Sequence, residues 1–203
     1  MENFQPIDIE TEVQVPIQAA KGEIDATFIS FSGLREPHFA IKLGPADGPG
    51  VIPLVRIHSE CVTGDIFGSL RCDCGPQLHE AIDRISTEGG YILYLRQEGR
   101  GIGLNSKLRA YKEQDKGLDT FEANRVLGFP DDARDFNLPA ALLKVLKVTQ
   151  LRLLSNNPDK LKSLIENGID VVSSVPTGTF MNSKNQKYLE AKHLQKGHQL
   201  FNS

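Results

Sequence analysis

Hydrophobic and polar positions divide the chain into a strand-like first quarter and a remainder in which helical and strand periods alternate. Residues 11–58 read as a run of strands. Ile24–Phe31 alternates apolar and polar side chains with the period of two that a half-buried strand requires, and apolar runs follow at Phe39–Leu43 and Val51–Ile57. Pro and Gly interrupt these runs, most densely over Gly44–Pro53, where turns are expected. From Cys74 the period becomes helical. Leu78, Ile82 and Ile85 share one face, Gly89-Gly90 ends that helix, and Tyr91–Leu95 is a buried strand.

A further helix is predicted over about Leu104–Lys116, closed by Gly117 just past its end. Asp119 followed by Glu122 has the spacing of a capping pair and opens a short helix to Leu127. Leu138, Leu142 and Val145 mark another. Leu151–Leu154 is a strand, Asn157-Pro158 a cap followed by a first-turn proline, and the helix so opened ends at Gly168 before a strand at Ile169–Val172. Strand, helix and strand over residues 150–173 form a small α/β unit. The expected fold class is therefore α+β: a β-rich part over about residues 1–58, packed with a helical and strand–helix–strand remainder, within one domain over 1–203. No repeat or low-complexity segment is present.

Composition sharpens this picture. With 203 residues, 39% hydrophobic and 24% charged, the chain has a globular profile. A chain of this size buries roughly 70% of its unfolded surface and needs no disulfide staples. A net charge of −3 argues against a dedicated nucleic-acid coat. Acidic residues lead over 1–50 and basic ones over 126–203, a tilt that suits an anionic ligand on the later half. The start, Met1-Glu2-Asn3-Phe4-Gln5, lacks the basic and apolar segments of a secretion signal, and no apolar run has the length to cross a bilayer. A cytoplasmic location is expected, with no membrane partner.

The three cysteines carry the strongest chemistry. Cys61, Cys72 and Cys74 are odd in number and close together, a poor basis for a disulfide framework and a good one for a metal site in a reducing compartment. Structural zinc wants four ligands, and no fourth cysteine exists. Three ligands leave a position open for water, the arrangement of a catalytic zinc. His58, three residues before Cys61, is the nearest candidate fourth ligand and would close the site. The plainer alternative is three buried core thiols, against which stand the polar neighbours His58-Ser59-Glu60 and Arg71-Cys72-Asp73-Cys74.

Two polar loops sit between a strand and a helix. Gln97-Glu98-Gly99-Arg100-Gly101-Ile102-Gly103 would let backbone amides approach an anion, although it lacks the ending of a P-loop, and such turns are commonly only turns. Ser155-Asn156-Asn157-Pro158-Asp159-Lys160 repeats the plan. Locally it reads as a capped helix with one solvated lysine; Lys160 opposes the helix dipole, which a nearby phosphate would justify. Asp131-Asp132-Ala133-Arg134-Asp135 reads as a charged surface loop, and its Asp132 and Arg134 equally as a working carboxylate–guanidinium pair.

Together these segments resemble the GTP cyclohydrolase II family. The likeness lies in Arg56-Ile57-His58-Ser59-Glu60-Cys61, Thr63-Gly64-Asp65 and Ser69-Leu70-Arg71-Cys72-Asp73-Cys74-Gly75. It continues through Arg96–Arg100, Arg109-Ala110-Tyr111, Asp119-Thr120, Glu122-Ala123-Asn124, Leu127-Gly128-Phe129, Arg134-Asp135-Phe136 and Asn156-Asn157-Pro158, spanning about residues 50–175. The resemblance implies conversion of GTP and water to formate, pyrophosphate and a diamino-ribosylamino-pyrimidinone phosphate, the opening step of riboflavin biosynthesis. It implies one zinc on Cys61, Cys72 and Cys74, magnesium on the triphosphate, and a homodimer. Catalytic roles fall on Tyr111 as proton donor or water orienter and Asp132 as general base. Arg134 would act at the α-phosphate, as nucleophile or, more compatibly with guanidinium chemistry, by neutralising charge. GTP contacts map to Arg56, Ile57, His58, Ser59, Glu60, Gln77, Glu98, Gly99, Arg100, Thr120, Ser155 and Lys160, with Ser155 standing where the family usually has threonine.

At 203 residues the chain lacks room for the second riboflavin-pathway domain that larger relatives carry, so the stand-alone form is expected. The nearest alternative is a paralogue using another purine nucleotide or stopping after ring opening; the presence of Tyr111 favours the full reaction. A zinc-stabilised nucleic-acid module is opposed by acidic balance, few aromatics and the missing fourth ligand.

Overall fold

A computed structural model describes residues 6–186 and 188–191. Its frame is one seven-stranded sheet of order β1-β2-β3-β5-β4-β6-β7. The strands are β1 (Asp8–Ala19), β2 (Gly22–Ser32), β3 (Phe39–Leu43), β4 (Leu54–Ser59), β5 (Gly90–Leu95), β6 (Gln150–Leu154) and β7 (Asp170–Val175). β1, β2, β3 and β5 pair antiparallel, whereas β5, β4, β6 and β7 run parallel. The helices are α1 (Val62–Asp65), α2 (Cys74–Glu88), α3 (Leu104–Gln114), α4 (Thr120–Val126), α5 (Leu138–Val145) and α6 (Pro158–Glu166). The mixed sheet with its helices is the α+β class that the sequence predicts.

The period of two along the strands feeds a core on each face of the sheet. Val55 and Ile57 of β4, Leu93 and Leu95 of β5, and Leu151 and Leu153 of β6 meet Leu142 and Leu143 of α5 and Leu164 of α6. Leu54, Ile92 and Leu154 point the other way, against Ala81 and Ile85 of α2. Truncating a fully buried residue such as Ile57 to Ala would cost about 2–5 kcal/mol. Arg56 and His58 follow Leu54 at intervals of two and therefore share the α2 face. That register decides where the polar chemistry lies.

Several boundaries differ from the sequence reading: β7 runs on to Val175 rather than ending at Val172, and α3 ends at Gln114 rather than Lys116. β1 begins at Asp8 rather than near residue 11, and it pairs with β2 down to Ala19↔Gly22. β4 starts at Leu54 rather than Val51, because a turn closes from Val51 N to Gly48 O and Pro53 has no amide to donate. Among the described residues, no helix is long and apolar enough to cross a membrane.

Candidate active site

From β4 the chain crosses through α2 to β5 on one side, and later returns as β6 on the other side of β4. Such a reversal opens a crevice beyond the carboxyl ends of the parallel strands. The segment after β4 brings Glu60 and Cys61 there, that after β5 brings Gln97 and Glu98, and that after β6 brings Ser155 to Asn157. Every residue assigned a catalytic, substrate-binding or metal role from the sequence borders this one cleft except Ile57, whose side chain lies in the core.

Cys61 precedes α1, and Cys72 and Cys74 lie at the start of α2, so that the three ligand atoms gather within 4.8 Å of one another. Cys61 Sγ and Cys72 Sγ are 3.6 Å apart, close to the roughly 3.8 Å that two tetrahedral zinc–sulfur bonds impose. Space beneath the sulfurs depends on Gly64: a Cβ there would lie 2.9 Å from Cys72 Sγ and 3.1 Å from Cys61 Sγ. Hydrogen bonds from Cys72 and Cys74 hold the Cys61 thiol far below its ordinary pKa, with help from the Lys107 charge. The Cys61 hydrogen bond pushes Cys72 up to about 11, and Cys74 is raised as well. One negative charge is thus shared by three sulfurs, and a divalent cation would let all three ionise. The donor set and the cradle fit zinc.

His58 is not part of the gathered set. Its Nε2 lies 3.1 and 3.0 Å from the Asp65 carboxylate oxygens. That carboxylate also accepts from Cys61 N at 2.9 Å and from Tyr94 Oη at 2.9 Å. Burial keeps the His58 pKa below its usual value, and its ring stacks on Tyr94. The histidine and Asp65 brace the loop that presents Cys61.

Glu98 opens a 3₁₀ turn (Glu98–Gly101) in which Gly99 and Arg100 adopt φ of 61° and 60°. The left-handed Arg100 is strained for a non-glycine residue. Its guanidinium sits 4.1 Å over the Phe121 ring, and its carbonyl accepts from Ala133 N, which ties this turn to the loop of Asp132 and Arg134. Arg134 Nε donates to Asp132 Oδ1 at 2.8 Å and Nη2 to Oδ2 at 2.5 Å. Burial alone would raise the Asp132 pKa, but the Arg134 fork outweighs it and holds the carboxyl below its ordinary range. This segment is a half-buried wall of the cleft, not a free surface loop.

Opposite it, Arg56 donates to Gln77 Oε1 at 2.8 Å and to Leu154 O at 3.2 Å. Lys160 differs from the solvated lysine of the local reading: it is buried, and its Nζ donates to Ile57 O at 2.8 Å. Ser155 Oγ accepts from Asn157 N, and Thr120 stands at the first turn of α4. Tyr111 Oη is 3.4 Å from Thr63 Oγ1, which is itself 3.7 Å from Cys61 Sγ.

Among the described residues, five buried side-chain atoms lack a hydrogen-bond partner: Arg56 Nε, His58 Nδ1, Ser59 Oγ, Gln97 Oε1 and Thr177 Oγ1. All five residues border the cleft. Unpartnered buried polar atoms are costly, so their concentration here marks a polar ligand's place. Sequence reasoning passed over Thr177, which carries no motif, and Lys107, whose Nζ lies 3.1 Å from Cys61 Sγ. The spacing of Lys107 and Tyr111, one helical turn apart, is the single signal that could have found the lysine.

A mixed α+β sheet with a polar cleft at its strand ends, bordered by three clustered thiols with the spacing of a metal site, is the frame of an enzyme. The sequence pattern of GTP cyclohydrolase II matches residues 10–176, and the chain belongs to that family. It is 51% identical to a GTP cyclohydrolase-2 of Vibrio vulnificus (strain CMCP6) over 175 residues, covering 85% of this chain and 88% of that one. A GTP cyclohydrolase-2 of Vibrio cholerae serotype O1 is 51% identical over 183 residues, covering 89% and 92%. A riboflavin biosynthesis protein RibBA of Bacillus cytotoxicus is 47% identical over 190 residues, which span 93% of this chain but 48% of the longer protein.

Proposed function

We propose that this chain hydrolyses GTP to 2,5-diamino-6-(ribosylamino)-pyrimidin-4-one 5′-phosphate, formate and pyrophosphate, the first step of riboflavin biosynthesis. One observation carries the reading: the three sulfurs and the Asp132–Arg134 pair border the same cleft, so a single nucleotide can meet both. Zinc held by Cys61, Cys72 and Cys74 would supply an acidic, polarised water for the guanine carbon between the imidazole nitrogens.

The chain's own groups do the rest. Tyr111, half-buried and with its pKa raised by desolvation, keeps its hydroxyl proton and can donate it as the five-membered ring opens. Addition of a second water to the resulting formamide expels formate. At the other end of the nucleotide, Arg134 offsets charge as the bond between α-phosphate and pyrophosphate breaks, a task that magnesium carried on the triphosphate would share. Asp132 accepts the proton of the group attacking the α-phosphate, or holds Arg134 in line for a direct attack. Arg56, His58, Ser59, Glu60, Gln77, Gly99, Arg100, Thr120, Ser155 and Lys160 bind the substrate, together with the Ile57 backbone. The carboxylate of Glu98 accepts from Lys107, Val62 N and Gly99 N, so it shapes the loop as well as facing the ligand. The enzyme acts as a cytoplasmic homodimer without nucleic acid.

Product analysis tests this reading. Purified protein given GTP and magnesium should release formate and pyrophosphate together with the pyrimidine product. Ring-opened nucleotide without formate would favour the partial-reaction paralogue instead.

A further inference from the structure

We propose that Lys107 is a positioning residue of the thiolate centre, fixing the Cys61 sulfur and supplying the positive charge by which three thiolates exceed a divalent cation. The inference rests on the zinc reading above. Lys107 lies on α3, and its side chain is buried in the cleft wall. A buried ammonium is tolerated only when paired. Its partners are Cys61 Sγ at 3.1 Å and Glu98 Oε1 at 2.8 Å.

The contacts close a ring. Glu98 Oε2 accepts from Val62 N at 2.6 Å, and Val62 is bonded to Cys61. Sulfur, ammonium, carboxylate and backbone amide therefore return to the peptide bond that follows Cys61, which holds the Cys61 side chain in one place. The Lys107 ammonium also sits 5.7 Å from the centroid of the Tyr111 ring, one helical turn on. Donation to a thiolate withdraws electron density from it. Without that donation Cys61 would be a richer ligand, and water on the metal less acidic. Outer partners of this kind are worth ~10–100-fold in metal affinity or activity.

The test is a Lys107→Met variant loaded with Co²⁺ in place of zinc, with Lys107→Leu as the substitute should the methionine variant fail to fold. Wild-type protein should show the absorption of tetrahedral cobalt bound by thiolate. In the variant the sulfur-to-cobalt bands should move to longer wavelength at unchanged cobalt stoichiometry, because the sulfur lone pair has lost its donor. With zinc restored, kcat should fall ~10–100-fold while KM for GTP stays within about twofold, the split expected when substrate binding is untouched. Cobalt bands at the wild-type position would overturn the proposal and reduce Lys107 to a counterion for Glu98. Wild-type protein that binds no cobalt through sulfur would instead overturn the zinc reading, and this inference with it.

Discussion

Asp132 and Arg134 grip each other through two parallel hydrogen bonds, at 2.8 and 2.5 Å, in the wall of the cleft that also holds the three cysteines. A paired guanidinium is fixed in direction, which suits a group that must meet a phosphate at one stage of a reaction. Arg134→Ala should lower pyrophosphate release by ~10²–10³-fold, the scale of a lost charge-stabilising donor. Arg134→Lys should recover little, since lysine cannot form the fork. Pyrophosphate release from GTP checks both; a native rate in Arg134→Ala would remove the phosphoryl role.

Cys72→Ser tests the ligand set. Serine replaces a thiolate with a poorly ionised hydroxyl, so bound zinc and formate release should disappear together. Metal analysis beside a formate assay reads this directly, and an active, metal-free variant would refute the zinc role.

Gly64→Ala probes the cradle rather than the ligands. The added methyl carbon would lie 2.9 Å from Cys72 Sγ and 3.1 Å from Cys61 Sγ, so the sulfurs must spread. Overpacking of this kind costs about 1–3 kcal/mol. The variant should fold with a lowered melting temperature and bind substoichiometric zinc. Full zinc occupancy would show that the loop gives way more easily than its packing implies.

The capping pair shows how far local sequence reaches. Asp119 accepts from Phe121 N and Glu122 N while Glu122 Oε2 accepts from Asp119 N, as the spacing predicts. The α2 face of Leu78, Ile82 and Ile85, the Asn157 cap and the thiol cluster were legible for the same reason: their partners lie within a few residues, or on one periodic face. Lys107 and Lys160 were not. The Cys61 sulfur and the Ile57 carbonyl that they reach are 46 and 103 residues away, the Glu98 partner of Lys107 lies on a separate turn, and a lysine on a helix carries no local mark of burial. Thr177 reaches the cleft because Asn156 binds its amide and carbonyl across the β6–β7 ends, a contact that only the sheet order brings about.

Two buried histidines contribute to the response to acid. Burial holds both His38 and His58 below their ordinary pKa. His38 is fixed as an acceptor, with Nδ1 2.9 Å from Arg96 N. The unfolded chain takes up protons near pH 6.5 that the native state refuses, so stability falls as pH drops below that value. Each unit by which a pKa is held down is worth about 1.4 kcal/mol. Urea denaturation should therefore give lower stability at pH 5.5 than at 7.5, and His38→Gln should shrink the difference. An equal difference in both proteins would exclude His38 as a contributor.

The central claim is that metal held by Cys61, Cys72 and Cys74 drives formate release from GTP. The most direct measurement is formate produced from GTP and magnesium before and after zinc chelation, with zinc then restored. The account predicts formate accompanied by pyrophosphate, lost on chelation and recovered with zinc. Undiminished formate from protein shown to be free of metal would contradict it.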